Sequence, residues 1–109
     1  LLMYVLFNLI KNALHAIQLA RKGQIVISAR DDGDAYVLEV RDDATGIPPR
    51  VLRRIFDPFF STKHHGKGAG VGLTFCRRVM HAFGGHIECE SVVGEYTLFS
   101  MRFPQPSVH

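Results

Sequence analysis

The chain has 109 residues, 47% of them apolar, with a net charge of +3. That size suits a single domain able to bury a core, and the composition excludes disordered and fibrous classes. The basic residues are scattered apart from Arg50, Arg53 and Arg54 and the pair Arg77-Arg78, so a nucleic-acid groove is not indicated and a small polyanion fits the balance better.

From Leu1 to about Ala20, apolar residues at Leu2, Leu6, Leu9, Ala13 and Ala16 recur at three and four, which predicts an amphipathic helix ended by Gly23. Its apolar opening, Leu1 to Ile10, is interrupted by Asn8 and followed by Lys11 and Asn12. It falls short of the roughly 20 residues of a bilayer span, so a buried helix is expected rather than an anchor or signal peptide. The chain opens without methionine, inside this helix, which suggests a fragment of a longer protein.

Ile25 to Arg30 and Tyr36 to Arg41 are β-rich runs joined by Asp31-Asp32-Gly33-Asp34, the pattern of a hairpin. Pro48-Pro49 opens a short helix from Arg50 to Ile55. Asp57 to Gly70 has no period, two histidines and three glycines, and reads as a mobile loop. Val71, Phe75, Val79 and Phe83 recur at four in a second long helix, closed by Gly84-Gly85. His86 to Val92 and Tyr96 to Phe103 form a second hairpin turned at Gly94-Glu95. The sum is an α+β domain over residues 1–104, a two-layer sandwich with helices on one face of a mixed, mostly antiparallel sheet, and a tail at 105–109. Cys76 and Cys89 stand in no metal or redox spacing and read as small buried residues of a reducing compartment.

Four segments carry chemistry. Asn8 and Asn12 are four apart and project from one helix face, where amides on an apolar side need polar partners; a pair of satisfied helix amides is the simpler alternative. Asp42 stands where a strand enters a turn, and its carboxylate can accept from an exocyclic amine, although Asp-Asp before Gly and Pro-Pro is also an ordinary turn. Phe56, Phe59 and Phe60 are aromatics suited to a core. Gly68, Gly70 and Gly72 lead into a helix, so free amides and the positive end of the dipole can meet phosphate oxygens, although such a run is often only a loop.

In this order, Asn8-Leu9-Ile10-Lys11-Asn12-Ala13, Asp42-Asp43-Ala44-Thr45-Gly46-Ile47, Phe56-Asp57-Pro58-Phe59-Phe60 and Gly68-Ala69-Gly70-Val71-Gly72-Leu73 resemble the N, G1, F and G2 boxes of the ATP-binding catalytic domain of sensor histidine kinases. That family belongs to the GHKL superfamily with its Bergerat fold, alongside gyrase B, MutL and heat-shock chaperones. The resemblance runs to about Pro104 and implies ATP and Mg²⁺ as cofactors. It implies that Asn12 supplies an oxygen to Mg²⁺ with Asn8 beside it, that Asp42 takes the adenine amino hydrogen, and that Gly46 lets the backbone pass close to the base, with Ile47 and Thr97 lining the site. It places Gly68, Gly70, Val71, Gly72 and Leu73 at the phosphates, under a lid carrying Lys63, Lys67, His64 and His65 and hinged by Phe56, Phe59 and Phe60. Lys63 is the first choice for a phosphate contact and Lys67 the second, and His15 ranks low as a ligand.

The superfamily's hydrolases place a glutamate base four residues before the metal-binding asparagine. Asn8 stands there and has no basic side chain, which points away from water activation and toward a protein nucleophile. None of the histidines has a His-Glu-x-x-x-Pro context, so the resemblance puts the acceptor on a dimerisation hairpin absent from this chain, with a receiver domain downstream and a cytoplasmic location in a membrane-bound sensor. No nucleic-acid or membrane contact by this segment is expected. One position departs from the family's Asp-x-Gly-x-Gly: Ala44 replaces the first glycine. If that position has positive φ, its Cβ costs about 1–2 kcal/mol, close to tenfold in affinity, and Ala44→Gly should tighten nucleotide; otherwise the turn simply differs. Alternatives are a regulatory module that has lost nucleotide, or an interaction domain docking through Arg50, Arg53 and Arg54. With Ala44, Gly94-Glu95-Tyr96-Thr97 resembles the hybrid quorum-sensing kinases.

Overall fold

The computed structural model describes residues 1–57 and 69–105, with residues 69–72 described by backbone alone. Helix α1 spans Leu2–Ala20, strand β1 Ile25–Asp31, strand β2 Ala35–Asp42, helix α2 Pro49–Leu52, helix α3 Ala69–Ala82, strand β3 His86–Val92 and strand β4 Tyr96–Pro104. The four strands form one sheet in the order β1-β2-β4-β3. Every pairing is antiparallel, so the parallel pair of a mixed sheet is absent among the described strands.

Pleating sends alternate residues to opposite faces, and the helices cover the face that carries Val40, Ile87, Phe99 and Met101. These pack with Val5, Leu9 and Ala13 of α1 and Leu73, Cys76, Val79 and Met80 of α3 in one cluster. Although α1 is long and apolar enough to cross a membrane by composition, its Val5, Leu9 and Ala13 lie in this core. The α3 stripe is rotated from the expected one: Leu73, Cys76 and Met80 point inward, while Phe75 and Phe83 are exposed. A period of four drifts around a helix of 3.6 residues per turn, so four residues at that spacing cannot all share one buried line. Phe75 instead meets Tyr4 of α1 edge-to-face at 5.1 Å.

Helix ends also differ from expectation. Arg21, in the left-handed region at φ 60°, closes α1 by donating its N–H to the Ile17 carbonyl at 2.8 Å. Gly23 lies beyond, at φ +116°, where an added Cβ would stand 3.1 Å from Asp43 Oδ1 and 3.4 Å from the Ala44 methyl. It therefore serves the turn beneath the segment after β2 rather than the cap. Helix α3 ends as expected: the N–H groups of Gly84 and Gly85 donate to the His81 and Met80 carbonyls, a Schellman closure. On the sheet's outer face, Val37 is buried although it faces away from the helices. Its cross-strand partners are Arg30 and Arg102, which pair with Glu39 and Asp32 at 3.4 and 2.6 Å.

Candidate functional site

The antiparallel register places Asp42 beside Thr97, and Thr97 beside Ser91, in one row across β2, β4 and β3. Asp42 and Thr97 are each only 4% exposed, the buried polar residues of the described chain. Asp42 Oδ1 accepts the Ala44 N–H at 3.2 Å. Burial pushes the Asp42 carboxyl above its usual range, the Ala44 hydrogen bond and Arg41 pull it down, and Asp43 adds to the rise. A carboxylate withdrawn from water in this way gains from a ligand N–H donor.

The segment after β2 is clamped from both sides. Asp43 Oδ1 accepts the Gln24 N–H at 2.7 Å from the α1–β1 connection. On the other side, the Gly94 N–H donates to the Thr45 carbonyl at 2.8 Å, and the Ile47 N–H donates to Ser91 Oγ at 2.7 Å. Gly46, at φ +72°, lies against the β3–β4 hairpin: a Cβ there would run into the Val92 carbonyl and stand 2.7 Å from Val93 Cα. The close approach of the hairpin, together with the positive φ, is sufficient to require glycine here.

Ala44 corrects the strain expectation. Among the described non-glycine residues only Arg21 has positive φ, so no Cβ penalty exists at Ala44. Its side chain is 1% exposed, and its methyl lies beside Gly23. The turn accommodates alanine as a packing residue.

Asn8 and Asn12 are half-buried on α1, which packs against β2 and α3. Asn8 Nδ2 donates to the Tyr4 carbonyl at 2.9 Å, and Asn12, one turn further along the same helix, carries an amide oxygen of the kind that a hard cation takes as a ligand. Among the described residues no group of three His, Cys, Asp or Glu side chains could hold a metal alone. His15 is exposed on the same helix. Leu73 is 5% exposed and packs within the core cluster.

Phe56 packs edge-to-face on Phe99 at 6.5 Å, and Thr74 Oγ1 donates to the Phe56 and Asp57 carbonyls at 3.1 and 3.0 Å. One end of the expected lid is thereby fixed to α3. Phe59, Phe60, Lys63, His64, His65, Lys67 and Gly68 lie outside the described residues. Helix α3 begins at Ala69, two residues earlier than expected. Gly70, Val71 and Gly72 lie in the first turn of the helix as described. Arg50, Arg53 and Arg54 are exposed, and Arg54 pairs with Asp57 at 3.4 Å.

Sequence reasoning missed Ser91. Its only signal is a hydroxyl on an alternating strand, which becomes informative once the register sets it beside Thr97.

The family described as "Histidine kinase-, DNA gyrase B-, and HSP90-like ATPase" matches residues 1–107. The autoinducer 1 sensor kinase/phosphatase LuxN of Vibrio harveyi is 43% identical over 101 residues, covering 93% of this chain and 12% of LuxN. The CAI-1 autoinducer sensor kinase/phosphatase CqsS of Vibrio cholerae is 41% identical over 105 residues, covering 96% of this chain and 15% of CqsS. This chain therefore spans less than a sixth of the length of either relative. The solved catalytic domain of histidine kinase ThkA, in a nucleotide-free form, superposes with a TM-score of 0.77 at 33% identity, covering 92% of this chain and 63% of that one.

Proposed function

Because this chain belongs to the histidine kinase-, DNA gyrase B- and HSP90-like ATPase family, we propose that it binds Mg²⁺-ATP and presents the γ-phosphoryl group to a histidine on a separate helical hairpin of the same longer protein. The observation that carries the reading is the buried Asp42 carboxylate in register with Thr97, above a turn clamped to two neighbouring connections. Withdrawn from water, Asp42 needs a donor, and the 6-amino group of adenine is one. The similarity to two autoinducer sensor kinases supports a sensor-kinase context with a downstream receiver partner and a cytoplasmic kinase portion.

The roles divide among the chain's own residues. Asp42 accepts from the base, with Thr97 beside it, and Gly46 and Ile47 hold the turn that walls the site. The N–H groups at the start of α3 face phosphate oxygens, joined by Lys63 and then Lys67 from the lid. Asn12 offers an oxygen to Mg²⁺, a hard cation that takes oxygen ligands and neutralises phosphate charge. Asn8, with its amide directed to Tyr4, has no group that could deprotonate water. Transfer breaks the bond from the γ-phosphorus to the β,γ-bridging oxygen and forms one to a histidine nitrogen, and the domain contributes positioning and charge stabilisation.

The absence of strain at Ala44 removes the main argument for a module that has lost nucleotide. Titration calorimetry with ADP, ATP and GTP, with and without Mg²⁺, tests binding, and no heat at millimolar nucleotide would overturn the reading. With radiolabelled ATP the isolated domain should show little hydrolysis and no stable self-phosphorylation, and should label its native hairpin supplied in trans. Asn12→Asp should abolish that label with the fold intact. Label on the domain alone, or full transfer by the variant, would contradict the assigned roles.

A further inference from the structure

Ser91 has one hydroxyl proton and three polar neighbours. Its Oγ lies 2.7 Å from the Tyr96 carbonyl oxygen, 2.7 Å from the Ile47 amide nitrogen and 2.9 Å from Thr97 Oγ1. A carbonyl oxygen only accepts and an amide N–H only donates, so Ser91 donates to Tyr96 and accepts from Ile47. Its single proton is thereby committed, and the hydrogen bond between the two hydroxyls must run from Thr97 to Ser91. Thr97 Oγ1 then presents lone pairs, and no proton, to its remaining surroundings.

Thr97 is the register partner of Asp42 on the helix-covered face. Ionised Asp42 is also an acceptor, with Oδ1 engaged by the Ala44 amide. No hydrogen bond is found between Asp42 and Thr97 among the described residues, as two acceptors require. A ligand edge held at Asp42 thus meets acceptors on two adjacent strands. We propose that Ser91 is a positioning residue for base specificity: by receiving the Thr97 proton it makes Asp42 and Thr97 a pair of acceptors for the two N–H groups of a 6-amino purine's amine, where a 6-oxo purine offers only another acceptor oxygen. The proposal rests on the adenine-binding reading above. Without the Ser91 hydroxyl, the Thr97 rotor is free to turn its proton toward a ligand oxygen, and discrimination relaxes.

The test compares ADP with inosine diphosphate, which has an oxo group in place of the amine, by calorimetry on the whole chain. Wild type should prefer ADP. Ser91→Ala should lower the ADP-to-inosine-diphosphate affinity ratio by roughly tenfold, the scale of one misdirected buried hydrogen bond, while Ser91→Thr, which keeps a hydroxyl, should restore it. A general loosening of the turn would weaken both ligands alike and leave the ratio unchanged, so the ratio separates proton direction from simple support. Thr97→Val covers the case in which Ser91→Ala fails to fold: it removes the second acceptor without touching the bonds from Ser91 to Tyr96 and Ile47, and should lower the same ratio. Wild type that binds neither nucleotide defeats the nucleotide reading and this role with it. Wild type that prefers ADP, with that preference unchanged in folded Ser91→Ala or, failing that, in Thr97→Val, overturns the role of Ser91 alone.

Discussion

Ala44→Gly is the substitution for which the sequence motif and the structure give opposite answers. The family pattern has glycine there, and relief of a strained alanine should tighten nucleotide binding. In the structure Ala44 has no positive φ, and its side chain is 1% exposed beside Gly23. Removing the methyl forfeits about 0.8 kcal/mol of apolar burial, and the freer unfolded chain of a glycine costs about 0.4–1 kcal/mol more. The variant should therefore lose about 1–2 kcal/mol, which for a domain of this size lowers Tm by roughly 4–15 °C. Thermal and urea unfolding followed by circular dichroism measure the stability, and ADP titration of the folded variant measures affinity. Affinity should be unchanged or weaker, because the Ala44 amide that holds Asp42 Oδ1 sits on a looser turn. A higher Tm together with tighter ADP binding would refute the packing argument and restore the strain argument.

Asp42→Asn should weaken adenine nucleotides strongly while stabilising the nucleotide-free domain at neutral pH. The folded-state pKa of Asp42 is raised, so between its unfolded and folded values the native state binds more protons and stability falls as pH rises; the advantage of Asn over Asp in urea unfolding should grow through that window from about pH 4 upward and then level off, and an advantage that instead shrinks as pH rises would contradict the buried-charge assignment. Gly46→Ala forces a Cβ against the Val92 carbonyl and Val93 Cα at positive φ, so it should destabilise by more than about 1 kcal/mol, read from the urea midpoint; wild-type stability would mean that the hairpin does not lie against this turn. Burial raises the Cys76 thiol to about 11, and burial with the nearby charges of Asp42 and Glu90 raises Cys89 to about 12. Both should alkylate slowly at pH 8 in the folded protein and readily in urea, and rapid modification of either in the native state would count against its placement.

The order of the four boxes, the two hairpins and the two long helices could be read from the sequence because each rests on local chemistry: periodicity, turn residues and glycines next to apolar runs. The type of family followed from the same local segments. Nonlocal facts were not legible there. The αL closure at Arg21 left Gly23 to the turn beneath the segment after β2, and the buried line on α3 follows a helical drift that a period of four conceals. Ala44 could be judged strained or relaxed only from its backbone angle. Most of all, Asp42 is separated by dozens of residues from Ser91 and Thr97, and the three form one row only because strand register aligns them. Sequence alone supplied the types of groups, acceptors and hydroxyls; tertiary pairing decided which of them face each other and in which direction their protons run, because a hydrogen bond between strands depends on register, which no single segment contains.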